Sequence, residues 1–269
     1  MTDSDKLDSL VAAVVKKLKY STICMDFIRR IGEQEIAKRA SLKEAIKSTC
    51  SKLHQVGGAF LENRPDFPQW LTELEALPED IHSVKIKQYC QEKMRAHAST
   101  NERLPILDEF FQRCLEHLAP IHSLLDLGCG LNPLALPWMP MVKDSIYQGN
   151  DIFADMTHFD QQFLQHNHLR GRVNCADILK DPPRQRFQVA FALKIIPLID
   201  QIEKEHTRQW LESIPADYLL VSFPIFSLSG KAKGMLENYS MRFTQMIENG
   251  NWKMDRFEFS TELAFLLHH

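Results

Sequence analysis

The sequence predicts an α/β protein in which an all-helical N-terminal region precedes a doubly wound, mostly parallel sheet. The first hundred residues carry apolar side chains at helical spacing together with helix-capping patterns. After residue 118, short apolar runs alternate with polar helical segments, which is typical of βαβ units. A chain of 269 residues is long enough for two modest domains, which we place at residues 1–96 and 97–269.

The helical region contains several predicted helices. Residues 6–19 place leucines and valines at helical spacing and end in a lysine cluster. A second helix is predicted over residues 22–38, and the capping-box pattern from Ser41 to Glu44 opens a third. Two glycines and two prolines then interrupt the run, at Gly57, Gly58, Pro65 and Pro68. Another helix is predicted over residues 81–93.

A helix over residues 97–118 is predicted to connect this region to the sheet, with Ser99 and Glu102 forming a capping-box pattern. Six apolar runs predict the strands, at residues 123–128, 146–152, 172–178, 188–195, 217–223 and 261–267. Ligands of doubly wound sheets bind at the carboxyl ends of the strands. The residues that end these runs are therefore the first candidates for a functional site.

The composition is that of a globular protein, with 44% apolar residues, 25% charged residues and a net charge of −3. The N-terminus has no apolar signal region, and no stretch reaches the roughly 18 apolar residues that span a membrane. We therefore expect a cytosolic protein. The six cysteines are scattered without a Cys-x-x-Cys pair, which favours free thiols. Two histidine pairs, 166/168 and 268/269, have no third ligand nearby, so no metal site is predicted.

The charges are distributed unevenly along the chain. Residues 16–52 carry ten Lys or Arg against four Asp or Glu, whereas residues 105–269 carry fifteen against twenty. A basic region before an acidic lobe is typical of a protein that brings a polyanion to a separate catalytic domain. A solvated helical surface explains the same pattern equally well.

The turn that begins at Asp126 carries the clearest chemistry. Gly128 and Gly130 follow a predicted strand and allow backbone N–H groups to approach a ligand closely. Asp151 ends the next strand, twenty-one residues after Gly130, where its carboxylate can accept hydrogen bonds from a ribose. Asp177 ends a third strand, and its carboxylate can accept a hydrogen bond from an adenine amino group. The turn, Asp151 and Asp177 together predict an adenosine ligand, although Asp126 is also explained as a turn-stabilising group and the other two carboxylates as strand-end caps.

The prolines after this turn narrow the choice of adenosine cofactor. A dinucleotide fingerprint requires a third glycine where the sequence has Pro133. Asn132 can cap a helix and Pro133 can begin it, but Pro137 would clash within the next turn, so the helix must be short or distorted. A pyrophosphate prefers a well-formed helix N-terminus. An acidic loop without a nearby Arg or Lys instead favours a cationic sulfonium, and S-adenosylmethionine is the predicted cofactor.

Four segments then resemble one family in order and spacing: "HASTNERL", "LLDLGCGLNPLALPWM", "LKIIPLID" and "SFPIFSLSGKAKGM". The chain is similar to the aminoglycoside-resistance 16S ribosomal RNA methyltransferases that modify N7 of guanine 1405 in the decoding site. The resemblance is densest from His97 to about Tyr239. It implies a class I, Rossmann-like methyltransferase fold behind a helical rRNA-docking domain, with the 30S subunit and its 16S rRNA as partners. It also implies methyl transfer from S-adenosylmethionine that gives resistance to aminoglycosides.

The resemblance also implies a set of cofactor contacts. Arg103 would hold the methionine carboxylate, Asp151 would hold the ribose, and Asp177 with Ile178 would hold the adenine. Gly128 and Gly130 would line the methionine and the ribose, and Asp126 would lie beside them. The remaining cofactor positions that the family implies are His97, Ser99, Ile152 and Leu193.

Two further positions are predicted to act on the target base. Lys194 interrupts an apolar strand end, where an unpaired ammonium is costly unless it reaches the mouth of a cleft over the base or its phosphate. Phe223, between Ser222 and Pro224 at another strand end, offers a stacking face for a flipped base, with burial in the core as the alternative. The predicted RNA contacts are Lys16, Lys17, Lys19, Arg29, Arg30, Ser222, Pro224, Lys231 and Lys233. The Lys231-Ala232 pair departs from the Gly-Arg-Gly-Lys-Gly pattern that is more frequent in the family.

No general base is expected, because guanine N7 carries a lone pair and no proton. Methylation of another rRNA position, such as N1 of a nearby adenine, stays open at this point.

Three alternatives to an rRNA methyltransferase are also considered. A small-molecule methyltransferase would more often use an apolar lid than a basic N-terminal region. A noncatalytic ribosome-binding protein with a degenerate cofactor fold would lack affinity for S-adenosylmethionine. A nucleotide-dependent oxidoreductase is disfavoured by Pro133.

Overall fold

The computed structural model describes residues 2–58, 60, 64–180, 183–203, 206–225, 235–248, 250 and 252–268. Its helices are α1 (Asp3–Val15), α2 (Met25–Lys38), α3 (Leu42–Leu53), α4 (Phe67–Glu75), α5 (Val84–Met94), α6 (Ala98–Arg103), α7 (Leu107–Leu115), α8 (Ala154–His166), α9 (Ile196–Glu203), α10 (Thr207–Ser213) and α11 (Met235–Ile247). Its strands are β1 (Ile121–Leu127), β2 (Met141–Asp151), β3 (Arg170–Cys175), β4 (Phe187–Leu193), β5 (Ala216–Pro224), β6 (Lys253–Glu258) and β7 (Glu262–His268).

The strands form one 7-stranded sheet in the order β3-β2-β1-β4-β5-β7-β6. All neighbours from β3 to β5 are parallel, and β7 runs antiparallel to both β5 and β6. The α/β prediction is therefore confirmed, and all six predicted strands are present. Strand β6 was not predicted, because this edge strand, Lys253–Glu258, is mostly polar and has no buried residue. The strand order reverses between β1 and β4, so the crevice at the carboxyl ends of these two strands is the expected ligand position.

Proline explains two differences from the sequence-based helices. The predicted helix over residues 97–118 is divided at Pro105 into α6, a 3-10 turn at Leu104–Ile106, and α7. The predicted capping box at Ser99 is wrong, because α6 begins after His97 and Ser99 already lies inside the helix. The cap at Ser41 is confirmed, since its side chain accepts a hydrogen bond from the Glu44 N–H at 3.3 Å.

Helix α4 was missed because Pro68 was interpreted only as a break. Pro68 lies in the first turn of α4, where the missing N–H has no intrahelical partner to lose. Asp66 caps this helix by accepting a hydrogen bond from the Gln69 N–H at 3.0 Å. After the glycine turn, Asn132–Trp138 forms a 3-10 helix that contains Pro137, which confirms the short, distorted helix.

The helical region divides between two hydrophobic cores. Helices α1 to α3 bury their apolar faces against one another, around Leu10, Ile28 and Leu53. Helices α4 and α5 instead pack into the core on one side of the sheet, where Phe67 stacks against Phe159 of α8. The predicted domain boundary at residue 96 would therefore assign α4 and α5 to the helical domain, although they share a hydrophobic core with the sheet. No helix in the described part of the chain is long and apolar enough to cross a membrane.

Candidate functional site

An open cavity of ≈ 730 Å³ lies at the carboxyl ends of the parallel strands, beneath helix α2. Nine of the residues proposed for the cofactor or the target line it, namely His97, Ser99, Gly128, Asp151, Ile152, Asp177, Ile178, Leu193 and Lys194. They meet because parallel strands end at one edge of the sheet, although they are up to 97 positions apart in the chain.

The glycine turn requires glycine at two positions. Gly128 has φ +69°, and a Cβ atom there would lie 2.2 Å from the Cδ1 atom of Ile195. Gly130 has φ +51°, and a Cβ atom there would lie 2.8 Å from the Cε1 atom of His97. Both backbones adopt the left-handed conformation and both approach a side chain of the cavity wall. The turn therefore fits against the cavity wall only if positions 128 and 130 carry no side chain.

Asp151 fastens the turn to the end of β2. Its Oδ2 atom accepts a hydrogen bond from the Gly130 N–H at 2.9 Å, and its Oδ1 atom accepts from the N–H groups of Ile152 at 2.7 Å and Phe153 at 3.3 Å. Burial raises the pKa of the Asp151 carboxyl, although these three N–H groups oppose the shift. The strand-end cap considered from the sequence is thus present, and the same residue lines the cavity.

Asp177 is held by an arginine from the N-terminal region. The Arg30 guanidinium donates to both oxygens of Asp177, at 2.5 and 3.1 Å, and it also contacts the carboxylate of Glu203. The Leu179 N–H donates to Asp177 Oδ1 at 3.1 Å. The expected RNA contact at Arg30 therefore needs correction, because its guanidinium points into the cavity wall and is occupied by two carboxylates.

Arg103 lies in a buried ion cluster. Its guanidinium donates to Glu262 at 2.6 and 3.1 Å and to Asn132 Oδ1 at 3.1 Å, and its side chain is 1% exposed. The expected contact with a methionine carboxylate stays a prediction, because Glu262 of β7 and Asn132 occupy three of the five guanidinium donors. Asn132 does not cap the following 3-10 helix, since its side chain bridges Arg103 and Asp126.

Asp126 is fully enclosed behind the turn. Its Oδ2 atom accepts hydrogen bonds from Asn132 Nδ2 at 2.6 Å and from the Tyr147 hydroxyl at 2.8 Å. Burial raises the pKa of Asp126 to about 6, against the opposing effect of these two donors. The geometry supports the turn-stabilising interpretation of Asp126 and gives it no contact with the cavity.

Lys194 lies at the end of β4 with φ +58° and lines the cavity. Its ammonium donates to Glu102 at 2.7 Å and to the Ser99 carbonyl at 3.1 Å, and it lies 3.3 Å from Glu262. The side chain is 2% exposed. The cost of burying this charge is therefore offset by two carboxylates and a carbonyl, and not by an open cleft mouth as the sequence suggested.

His97 covers the glycine turn from the opposite side. Its ring stacks on Phe60, with 5.5 Å between the centroids, and packs against Gly130. Burial, together with the charges of Lys194 and Arg103, lowers the pKa of His97 to about 3. The ring is therefore neutral at physiological pH. Its Nδ1 atom has no hydrogen-bond partner among the described residues, which leaves one polar atom at the cavity wall unmatched.

Phe223 differs from the expected stacking platform. It is 2% exposed and packs between Tyr239, Phe243 and Phe265 in the core behind β5. Ser222 is fully buried, so its expected RNA contact is corrected as well. An apolar ring at this strand end contributes more by burial than by exposure, which is the core alternative considered from the sequence. Pro224 is partly exposed at the end of β5.

The remaining predicted RNA contacts fall into two groups. Lys16, Lys17 and Lys19 are exposed after the end of α1, and Lys19 lies over the Tyr20 ring at 4.8 Å. Arg29 is partly exposed and donates to Asp8 at 2.7 Å. Lys231 and Lys233 lie outside the described residues. In the described ranges, no group of three or more His, Cys, Asp or Glu residues is arranged to hold a metal ion.

Sequence reasoning missed the N-terminal wall of the cavity. Phe27, Val56 and Phe60 line it together with Arg30. The available signal was the spacing of Phe27 and Arg30, which places an arginine beside an apolar residue on one helix face, at 5.3 Å from its ring. Glu262 was missed because it begins an apolar run, where a strand was predicted and a buried carboxylate was not considered.

Comparison with known proteins adds an independent finding. A family model described as "Ribosomal RNA methyltransferase (FmrO)" matches residues 16–266. A 16S rRNA (guanine(1405)-N(7))-methyltransferase of Micromonospora rosea is 30% identical over 99% of this chain and 98% of its own length. The enzyme of the same description from Serratia marcescens is 28% identical over 99% of this chain and 98% of its own. The crystal structure of 16S rRNA methyltransferase RmtF in complex with S-adenosyl-L-homocysteine superposes with a TM-score of 0.80, covering 100% of this chain and 99% of RmtF. The two sequences are 24% identical, so this superposition supports the fold alone.

Proposed function

The chain belongs to the ribosomal RNA methyltransferase (FmrO) family, and we propose that it transfers a methyl group from S-adenosylmethionine to N7 of guanine 1405 in 16S rRNA. The similarity to methyltransferases described as specific for this atom extends over nearly the whole chain. The observation that carries the proposal is the cavity, because the glycine turn, Asp151 and Asp177 all meet in it at the switch point of the sheet.

The residues of the cavity fit an adenosine with a sulfonium side chain. Ile152, Ile178 and Leu193 supply apolar surface for a purine, and Asp151 and Asp177 supply hydrogen-bond acceptors beside it. S-Adenosylmethionine, when bound, supplies an electrophilic methyl group on a positively charged sulfur. Asp151 would accept hydrogen bonds from the ribose, and Asp177 would accept one from the adenine amino group.

The reaction makes few demands on acid–base chemistry. Guanine N7 presents a lone pair in the plane of the ring and has no proton to remove. The protein must therefore bring N7 in line with the methyl group and exclude water. Lys194 would serve the first task, and the support for this role is that Glu102 and Glu262 hold its side chain at the strand end that borders the cavity. Neutral His97 and Phe60 would exclude water on the N-terminal side.

The substrate is proposed to be the assembled 30S subunit in the cytoplasm. The exposed lysines after α1, Lys16, Lys17 and Lys19, provide positive charge for contacts with rRNA phosphates. Methylation at the decoding site would remove drug contacts there and give aminoglycoside resistance. A small-molecule substrate is not favoured, because the relatives along the whole chain are described as rRNA enzymes.

The test is methylation of purified 30S subunits with labelled S-adenosylmethionine, followed by reduction, strand scission at 7-methylguanine and primer extension. We expect one new stop at guanine 1405. Subunits with adenine in place of guanine 1405 serve as the matched control and should acquire no stop. Label on another nucleotide, or on free 16S rRNA alone, would contradict the proposal, and loss of S-adenosylmethionine binding would favour a noncatalytic ribosome-binding protein.

A further inference from the structure

The residues before helix α2 are hydrogen-bonded to the turn after β2, at the carboxyl ends of the parallel strands where the cavity lies. The Cys24 N–H donates to the Ile152 carbonyl at 2.7 Å, and the Ala154 N–H donates to the Thr22 carbonyl at 2.8 Å. Ile23 also pairs with Phe153 as an antiparallel bridge. These bonds join the residues before α2 to the turn after β2, so that the first two turns of α2 lie over the cavity.

Arg30 is the charged group that α2 presents there. Its side chain is 16% exposed, while the side chains of its partners Asp177 and Glu203 are 2% and 22% exposed. Glu203 is fixed from a second side, because Gln34 Nε2 donates to it at 2.8 Å. A guanidinium held by two partly or fully buried carboxylates is placed by the fold, in contrast to a mobile surface arginine.

We propose that Arg30 is a positioning residue of the adenine subsite, which holds both oxygens of Asp177 in place as hydrogen-bond acceptors and thereby selects a 6-amino purine over a 6-oxo purine. This inference rests on the proposed function, in which Asp177 accepts the adenine amino group. It assigns to the helical N-terminal region a direct part in cofactor recognition, in addition to any part in rRNA docking.

The argument follows from the hydrogen bonds of Asp177. A carboxylate has about four lone-pair sites, and three are occupied here, by two donors of Arg30 and by the Leu179 N–H. The site that is left belongs to Oδ2, which among the described residues accepts a hydrogen bond from Arg30 Nε alone. As long as the group is a carboxylate it can accept a hydrogen bond and cannot donate one. A 6-amino group satisfies that site, whereas a 6-oxo group places two acceptors against each other.

Removing the guanidinium weakens this preference. Without the two donors of Arg30, the Asp177 carboxylate keeps only the Leu179 N–H as a hydrogen-bond donor among the described residues. The Oδ2 atom is then no longer held toward the 6-position of the purine, so the selection against a 6-oxo group is reduced. A lysine at position 30 keeps the positive charge but not the two-pronged geometry, so it is expected to restore part of the selection.

The experiment measures dissociation constants of S-adenosylhomocysteine and its 6-oxo analogue S-inosylhomocysteine by isothermal titration calorimetry. The wild-type protein should prefer the adenosyl ligand. For Arg30→Gln, binding of S-adenosylhomocysteine should weaken roughly 10- to 100-fold, and the preference for it should fall by at least about tenfold. Asp177→Asn should lose the same preference, because an amide can both donate and accept, and adding Arg30→Gln to it should change the preference little further.

Arg29→Gln is the matched control, since Arg29 lies on the same helix and donates at 2.7 Å to Asp8 within the N-terminal region. It should bind both ligands as the wild type does. Equal weakening of both ligands in Arg30→Gln would show a structural role only, and an unchanged preference would overturn the inference while the proposed function stands. If Arg30→Gln does not fold, Arg30→Lys and Asp177→Asn decide by the same ratio. Failure of the wild-type protein to bind S-adenosylhomocysteine would overturn the proposed function itself.

Discussion

Replacing Glu262 by glutamine removes the carboxylate that organises the buried ion cluster behind the cavity. Glu262 is fully buried, accepts two hydrogen bonds from Arg103 and lies 3.3 Å from the ammonium of Lys194. Breaking a buried ion pair on one side costs about 3 to 5 kcal/mol, because a buried charge is left uncompensated. At about 2 to 4 °C per kcal/mol for a protein of this size, the melting temperature should fall by roughly 6 to 20 °C.

The loss should depend on pH in a defined direction. Burial opposes ionisation of Glu262, but Arg103 and Lys194 outweigh it and hold the pKa of this carboxyl below its usual range. A carboxyl with a depressed folded-state pKa stabilises the protein above its unfolded pKa of about 4.3, and the contribution is lost as the pH falls through the folded value. The difference in unfolding free energy between wild type and Glu262→Gln should therefore be full at pH 7 and shrink below about pH 4.

Thermal unfolding followed by circular dichroism measures this effect, and an exposed ion pair provides the control. Asp217 pairs with Arg186 at 2.7 Å, but both side chains are more than half exposed. Asp217→Asn should change the unfolding free energy by less than about 0.5 kcal/mol. The reasoning is refuted if Glu262→Gln costs less than about 1 kcal/mol at pH 7, or if its effect does not diminish in acid.

Three further predictions concern the cavity and the glycine turn beside it. Lys194→Ala should lower methylation of 30S subunits at least roughly 100-fold. The dissociation constant of S-adenosylhomocysteine should change less than about threefold. A loss of affinity that matches the loss of methylation would instead make Lys194 a cofactor contact. Asp126, with its pKa raised to about 6, stabilises the fold at pH values below its unfolded pKa and loses this contribution as the pH rises through 6. Asp126→Asn keeps an acceptor for both hydrogen bonds, so urea denaturation should show it to be more stable than wild type at pH 7, by up to about 3 kcal/mol, with little difference at pH 4. Gly130→Ala should cost about 1 to 3 kcal/mol and weaken cofactor binding, because the residue has φ +51° and a Cβ atom would meet the His97 ring at 2.8 Å; unchanged melting and affinity would contradict the role assigned to the turn.

The parts of the fold that depend on local pattern could be predicted from the sequence. Apolar runs such as residues 188–195 and 217–223 predict strands, because a strand buried on both faces must be continuously apolar. The prolines at 133 and 137 predict a distorted helix, because proline lacks the N–H that a helix requires. Residues at the ends of parallel strands meet at one edge of the sheet, so Asp151 and Asp177 could be assigned to one site.

The partners of charged residues could not be predicted in the same way. Arg30 was assigned to RNA and Arg103 to the cofactor, yet each guanidinium is held by carboxylates, from Asp177 and Glu203 in one case and from Glu262 in the other. These partners are more than 145 positions away in the chain, so nothing in the local sequence indicates them. An ion pair depends on the distance between atoms in space, which is established only when the elements pack.

For this chain, the sequence by itself determined the order of the elements, the glycine turn and the set of strand ends at which a cofactor can bind. Each of these follows from the short-range preferences of the backbone and from the periodic burial of apolar side chains. Only the tertiary structure decided which charged groups face the cavity and which are neutralised inside it. It placed α2 over the cofactor edge and Phe223 in the core, because those positions depend on packing between segments that are distant in the chain.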